Sequence, residues 1–383
     1  LKSFGACFGV SAGYERPMWF ALDGEKSEYE YSYNYQNWYP SAEYETHNTI
    51  KNVGLFDLTP FSKFEIFSEN AHEELQKICT ANIKKEIGKC TYTQMLNSDG
   101  GIEADLTVIC IDKNHYRIIS SAATRERDKF HIKKHISSDI ELKDVTDNFC
   151  VFGLFGPKSR DLIKTLSNDN FENDDFKFAT SKFITIEGIK IWAQRLSYVG
   201  ELGYELYVES KDAKKIYELI IYKGKNFNLS NCGMHTMDIM RMESGFLHWG
   251  HDISPEENQY EAGLNFAISY KKNVKFIGRE SLQKIKDKKL KKRFVMLCLK
   301  KSNPGEPLLL HDEPIYLDDK IIGVTTSGNF SFNYNKNLSF GYIKSDFSNE
   351  ELSKKNLYIE IEKNKFFAEI LLKPLKQTDF KNL

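Results

Sequence analysis

Two carboxylates occupy positions where strand-forming neighbours make a charge expensive. Asp105 follows the turn-forming run Asn-Ser-Asp-Gly-Gly at residues 97–101 and opens the apolar stretch 105–111 (DLTVICI). A carboxylate at the mouth of such a strand must be paired, hydrogen-bonded or put to acid–base use; the plain alternative is a turn cap, which Asp favours for local reasons. Glu205 lies inside 204–208 (YELYV), just after two glycines bend the chain at 200 and 203 beside Glu201. Strand alternation puts Glu205 and Tyr207 on one face and Tyr204 and Leu206 on the other, and periodicity alone makes the Glu205 face the solvent face. A third segment, 241–250 (RMESGFLHWG), reads as a helix end broken at Gly250. Arg241 and Glu243 suit a salt-bridged solvent face there, and Phe246 and Trp249 suit a core.

Other chemistries find little support. No GxGxxG follows a strand, and no P-loop, HExxH or GxSxG occurs. His131 and His135 stand at i, i+4, and His248 and His251 form an HxxH, but neither pair has an obvious third metal ligand. Seven scattered cysteines without a CxxC fit a reducing compartment better than a disulfide framework. A net charge of -1 disfavours nucleic acid as a main partner, and the longest apolar runs are far too short for a membrane span.

The elements that must position these residues are α+β. Residues 62–67 alternate as a strand, 69–83 have helical spacing, 105–111 and 115–121 read as a strand pair, and 124–135 as a charged helix. A second unit begins near 146: strand 151–156, a helix opened by Pro157, a hairpin turning at Glu187-Gly188, strand 204–208, and helices over 211–222 and 235–246. This strand–helix order is that of ferredoxin-like units. After a lysine-rich stretch with one helix near 279–285, the pattern turns to β hairpins at 314–326 and 357–372, which predicts a small antiparallel barrel. At 383 residues the chain divides into an aromatic connecting arm (1–45), a central region (46–285, two halves parting near 146) and a barrel domain (286–383). The arm shows no helical period and reads as extended chain anchored by its Tyr and Trp rings.

Taken in order, residues 54–66 (GLFDLTPFSKFEI), 92–108 (YTQMLNSDGGIEADLTV), 154–163 (LFGPKSRDLI), 198–207 (YVGELGYELY), 261–264 (EAGL), 276–282 (FIGRESL) and 325–331 (TTSGNFS) resemble the folate-binding aminomethyltransferase family, the glycine cleavage T-proteins and their relatives. Residues 4–20 resemble the junction in sarcosine and dimethylglycine dehydrogenases, and residues 94–108, 196–206 and 246–252 (FLHWGHD) look most like the sarcosine dehydrogenase branch. The resemblance implies tetrahydrofolate as cofactor and a one-carbon unit, taken from a methylamine donor, delivered as 5,10-methylenetetrahydrofolate. It implies FAD only on an upstream domain or a partner chain, so that a flavin-dependent dehydrogenase half, fused or separate, is the expected partner. A mitochondrial matrix or a bacterial cytoplasm suits it equally.

Residue by residue, the resemblance makes Asp105 the catalytic carboxylate, taking up a proton from an amine and stabilising positive charge. It makes Glu205 the pterin-binding carboxylate, accepting two adjacent N–H donors, against the solvent-facing expectation. Tyr198, Thr107, Phe246 and Phe266 line the same pocket, and Arg241 lies near the anionic folate tail. Three positions depart from the T-protein pattern: Ser121 for a usual Asn, Met237 for an Arg, and Gln259 for a Pro. The lysines at 284, 286, 288, 289, 291 and 292 form a solvated surface or attract a polyanionic tail.

Overall fold

The structure is a computed structural model and describes residues 1–377 and 379–383. The chain opens with a hairpin, β1 (Ala6–Ser11) and β2 (Tyr14–Phe20), then α1 (Tyr39–Lys51), β3 (Val53–Asp57), β4 (Ser62–Phe67), α2 (Ala71–Ile78), β5 (Cys90–Leu96), β6 (Ile102–Asp112) and β7 (His115–Ser120). It continues through α3 (Arg125–His135), β8 (Glu141–Asp144), β9 (Phe149–Phe155), α4 (Ser159–Leu166), β10 (Ser181–Ile186), β11 (Ile189–Gln194), β12 (Gly203–Glu209), α5 (Ala213–Gly224), β13 (Leu229–Cys232) and α6 (Met234–Glu243). The last elements are α7 (Arg279–Lys286), β14 (Lys292–Leu299), β15 (Pro314–Leu317), β16 (Lys320–Ser331), β17 (Lys336–Lys344), α8 (Asn349–Lys354), β18 (Leu357–Ile361) and β19 (Asn364–Leu371).

Two sheets carry the centre of the molecule, one of five strands (β5-β6-β7-β4-β8) and one of six (β10-β11-β12-β9-β3-β13). Strand alternation gives each sheet two apolar faces. The outer face of the five-stranded sheet, with Leu106, Val108 and Cys110, packs on Leu75 and Ile78 of α2 and Ile132 of α3. The outer face of the six-stranded sheet, with Tyr204 and Leu206, packs on Leu162 of α4 and Ile216 and Ile220 of α5. The inner faces meet in one core: Cys90, Ile109 and Ile111 from the first sheet, Val151, Trp192 and Tyr207 from the second. Sequence order does not sort these layers, because β3 sits between β9 and β13, in the sheet of the later half. The barrel β14-β17-β16-β15-β18-β19 is closed and antiparallel, as expected. The hairpin at Glu187-Gly188 is also as expected, with both residues at positive φ (49° and 77°) as a type I′ turn demands.

The extended reading of the arm needs correction. It folds into the β1–β2 hairpin, and α1 begins at Tyr39, with Pro40 in its first turn. The rings are anchors in part only. Trp19, Trp38 and Tyr39 are buried with Ile239 of α6, whereas Tyr31 and Tyr33 are exposed. Trp38 stacks on His235 at 3.8 Å, and Tyr29 donates to or accepts from the same ring at 3.0 Å. Glu45 of α1 accepts from the backbone N–H groups of Phe20 and Gly233, both at 2.7 Å.

One glycine fixes how the centre meets the barrel. The loop after α6 lies on the tip of the β5–β6 hairpin: the Ile102 N–H donates to Glu257 O at 3.0 Å, and Gly101 bridges Asn258. A Cβ on Gly101 would stand 2.0 Å from Pro255 O. Gly101→Ala is therefore expected to push the loop away and lower stability by about 2–3 kcal/mol, read as a lower denaturant midpoint with unchanged slope.

Candidate functional site

The β5–β6 hairpin builds half of the site. Asn97 caps its turn, with Oδ1 accepting from the N–H groups of Asp99 and Gly101 at 3.0 and 2.9 Å. Asp105 is thereby free of the capping role and lies in β6, opposite Gln94 of β5. Asp105 and Thr107 share the face of Ile109 and Ile111, so they point into the layer between the sheets, where both are half-buried. Tyr92, opposite Thr107, belongs to the same face of β5 as Cys90 and Gln94.

Among the described residues Asp105 has no basic partner to stabilise its charge. Burial pushes its carboxyl up to about 6, against opposing help from Gln94 and Tyr92. The Gln94 amide donates to Oδ1 at 2.7 Å. Gln94 is itself fully buried, and its Oε1 receives the Gln259 amide at 2.5 Å. Gln259, the departure from the T-protein pattern, thus joins the site from the loop that grips the hairpin tip.

The facing sheet supplies Glu205, paired in β12 with Gln194 of β11 on one side and Gly153 of β9 on the other. The solvent-facing expectation fails: the face Glu205 shares with Tyr207 meets the other sheet rather than water. Burial pushes its carboxyl up to about 7, opposed by the Tyr207 hydroxyl, which donates to Oε2 at 3.0 Å. Oε1 stays free of partners among the described residues. Beside it the Gln194 Nε2 is buried without a partner, and the Cys90 thiol donates to Gln194 Oε1 at 3.5 Å. The Gln194 Nε2 on the paired strand is enclosed, while the free Glu205 oxygen is a carboxylate acceptor available to a ligand that carries N–H donors. This fits a pterin edge.

Aromatic side chains wall the cleft. Tyr198 stacks on Phe246 at 6.0 Å and donates to Leu247 O at 2.8 Å; its charge environment includes Asp105. Tyr92 stacks on Phe266 at 6.2 Å, and this pair, with Ala81, Asn82 and Ser269, lines a depression at the surface. Phe266 is 73% exposed, a large ring held out at the rim. Ser121 follows the last β6–β7 pair, Leu106–Ser120; its hydroxyl accepts from the Ala123 N–H at 3.2 Å, which spends it on the backbone.

Arg241 is placed otherwise than expected. It is 2% exposed and donates to Asp238 (2.8 Å), Asp252 (2.6 Å), Phe246 O (3.1 Å) and Ser327 (2.8 Å). A guanidinium so neutralised ties α6 to the following loop and the barrel, and has little left for an anionic tail. The solvent-face reading of Glu243 fails likewise, since it accepts from Ser331 and Asn333 of the barrel region. Among the lysines, Lys289 pairs with Asp346 and Lys292 with Glu257. The paired histidines lie close together, but no group of three ligands able to hold a metal occurs among the described residues.

Sequence reasoning missed Tyr92, Gln94, Gln194 and the part played by Gln259. Only the strand alternation around 90–94 carried a signal, since it aligns polar residues with Cys90 on one face.

Comparison with known proteins identifies the family and the fold. Residues 1–272 match the model of the GCVT N-terminal domain, and residues 292–376 that of the glycine cleavage T-protein C-terminal barrel domain. The chain is 32% identical to the mitochondrial dimethylglycine dehydrogenase of Rattus norvegicus over 97% of its own length but 43% of that protein, so it spans less than half of that relative. It is 31% identical to the aminomethyltransferase of Halothermothrix orenii, over 79% of this chain and 83% of the other. The crystal structure of aminomethyltransferase T of the glycine cleavage system from Bartonella henselae superposes with a TM-score of 0.83 at 18% identity, covering 98% of this chain and 95% of that one.

Proposed function

The chain belongs to the glycine cleavage T-protein family, and from that premise we propose that it performs tetrahydrofolate-dependent one-carbon transfer. In this reading it captures the methylene or formaldehyde unit released by oxidative demethylation of sarcosine or dimethylglycine and yields 5,10-methylenetetrahydrofolate. The observation that carries the reading is the pair of carboxylates, Asp105 and Glu205, aimed from facing sheets into one layer without a basic partner of their own.

Bound tetrahydrofolate supplies the amine nitrogens that accept the one-carbon unit. Glu205, ionised, accepts two adjacent N–H groups of the pterin. Tyr198 and Phe246 give that ring an apolar wall, and Thr107 helps to line the space. Asp105, while ionised, holds its negative charge beside developing positive charge, and on taking a proton from an amine nitrogen it becomes the neutral acid; a carboxyl that titrates near 6 is matched to that exchange at neutral pH. The half-buried layer keeps bulk water from a reactive one-carbon unit.

The match to the dehydrogenase relative over 97% of this chain favours this donor class, and the more than half of that relative left uncovered favours a flavin-dependent dehydrogenase half as partner. The coverage of the free-standing aminomethyltransferase keeps a second reading, transfer from a carrier-bound aminomethyl group in glycine cleavage. Titration calorimetry with tetrahydrofolate is the test. Saturable binding is the expected outcome, followed by acceleration of 5,10-methylenetetrahydrofolate formation over the solution reaction. Absence of binding sinks the proposal.

A further inference from the structure

We propose that Gln259 is a positioning residue for Asp105: its side-chain amide locks Gln94 with the carboxamide nitrogen turned toward the carboxylate. The inference rests on the reading of Asp105 given above.

The polarity of the chain of amides is set from a fixed end. The Ala267 carbonyl can only accept, and it takes the Thr80 hydroxyl at 3.2 Å. The Thr80 Oγ1 is then available to receive the Gln259 Nε2 at 3.1 Å, and the same nitrogen donates to Gln94 Oε1 at 2.5 Å. Gln94 Oε1 being engaged, its Nε2 faces Asp105 Oδ1 at 2.7 Å. Were Gln259 turned over, its carbonyl would meet the Gln94 carbonyl, or Gln94 would turn as well and present an acceptor to the carboxylate.

Two further observations separate this from ordinary packing. Gln259 and Gln94 are both 0% exposed, so water cannot stand in for either. The Gln259 Oε1 is buried without a partner. The orientation is therefore not the one that satisfies Gln259 itself; it leaves one acceptor unpaired while Gln94 and Asp105 are served. The Leu264 N–H on the Gln259 carbonyl at 2.8 Å fixes the backbone from which the side chain reaches.

A donor held on the ionised carboxylate favours ionisation, so loosening it raises the pH at which Asp105 titrates. Gln259→Met keeps the length and removes the orphaned oxygen, which favours a folded variant. The expected result is an upward move of the acid limb of the transfer pH profile by about one unit, with rates about fivefold lower near pH 6, approaching tenfold lower below pH 5, and little changed near pH 8. Gln94→Met moves the limb in the same direction, and the double variant moves it no further than Gln94→Met alone, since both act through one donor. Carboxyl-carbon NMR of Asp105 in the free protein, assigned by loss of its signal in Asp105→Asn, reads the same titration without turnover. An unmoved Asp105 midpoint in Gln259→Met overturns the positioning role. A moved midpoint in a protein that neither binds tetrahydrofolate nor transfers the unit overturns the functional reading and leaves the positioning in place. General misfolding would lower rates at every pH and leave the limb where it was.

Discussion

Asp105→Asn is expected to lower one-carbon transfer by about a thousandfold, within the range that a positioned acid–base group supplies, while tetrahydrofolate affinity changes little. The asymmetry follows from the geometry. An asparagine oxygen still accepts the Gln94 amide, so the packing of β5 against β6 is retained. What disappears is the site for a proton and the negative charge facing the reacting nitrogen. Rates and calorimetric affinities measured on the same preparation separate two cases. A protein that only binds or docks folate would lose neither, and transfer unchanged by Asp105→Asn would refute the catalytic role. In the wild type the rate falls as pH drops through about 6, because the base form is lost there.

Glu205→Ala is expected to weaken tetrahydrofolate binding by ten- to a hundredfold, since two charge-assisted hydrogen bonds go with it. Wild-type affinity falls on its own as pH drops below about 7, where Glu205 takes up a proton. The same shift has a stability consequence of opposite sense. The folded-state value lies above the ordinary carboxylate value of 4.5, so protonation favours the fold. That contribution is complete below pH 4.5 and is lost as pH rises through about 7. Glu205→Gln, which removes the ionisation, should therefore be more stable than wild type at pH 8, by at most about 3 kcal/mol because the group is only half-buried. The advantage should vanish near pH 4. Thermal unfolding at the two pH values reads it, and a Glu205→Gln protein less stable at pH 8 would contradict the burial of an unpaired charge.

The local signals in the sequence were strong where local physics decides. Turn residues at 97–101 and 187–188 placed two turns between strands, alternation at 357–372 placed a barrel pair, and Pro157 placed a helix start, the helix itself running Ser159–Leu166. Alternation also separated Glu205 and Tyr207 from Tyr204 and Leu206, but could not say what each face meets. It distinguishes sides, and here the polar side meets another sheet. The arm hid α1 because its apolar stripe is sparse: Ser41, Glu45 and Thr49 are buried by hydrogen bonding rather than by hydrophobicity. Arg241 was misjudged for a related reason. Asp238 is an i, i+3 neighbour on the same helix, but Asp252 and Ser327 come from a loop and a barrel strand, and no spacing rule joins Arg241 to those two. The link from Gln259 to Gln94 spans 165 residues and belongs to the same class.

The grip of the loop on the hairpin tip makes the barrel part of the active centre's rigidity. The Ile102 N–H is held by Glu257 O, and four residues further along the same loop Glu261 O receives the Phe294 N–H of β14. Leu96 and Ile102 share one apolar cluster with Ile253, Cys298 and Phe340, so tip, loop and barrel wall have a common interior. These pieces open together or not at all, as one cooperative unit. The carboxylate three residues beyond Ile102 is then only as well placed as the barrel is closed. Substitutions at Phe294 in β14 or Phe340 in β17 are therefore expected to loosen the placement of Asp105 as well as the barrel wall.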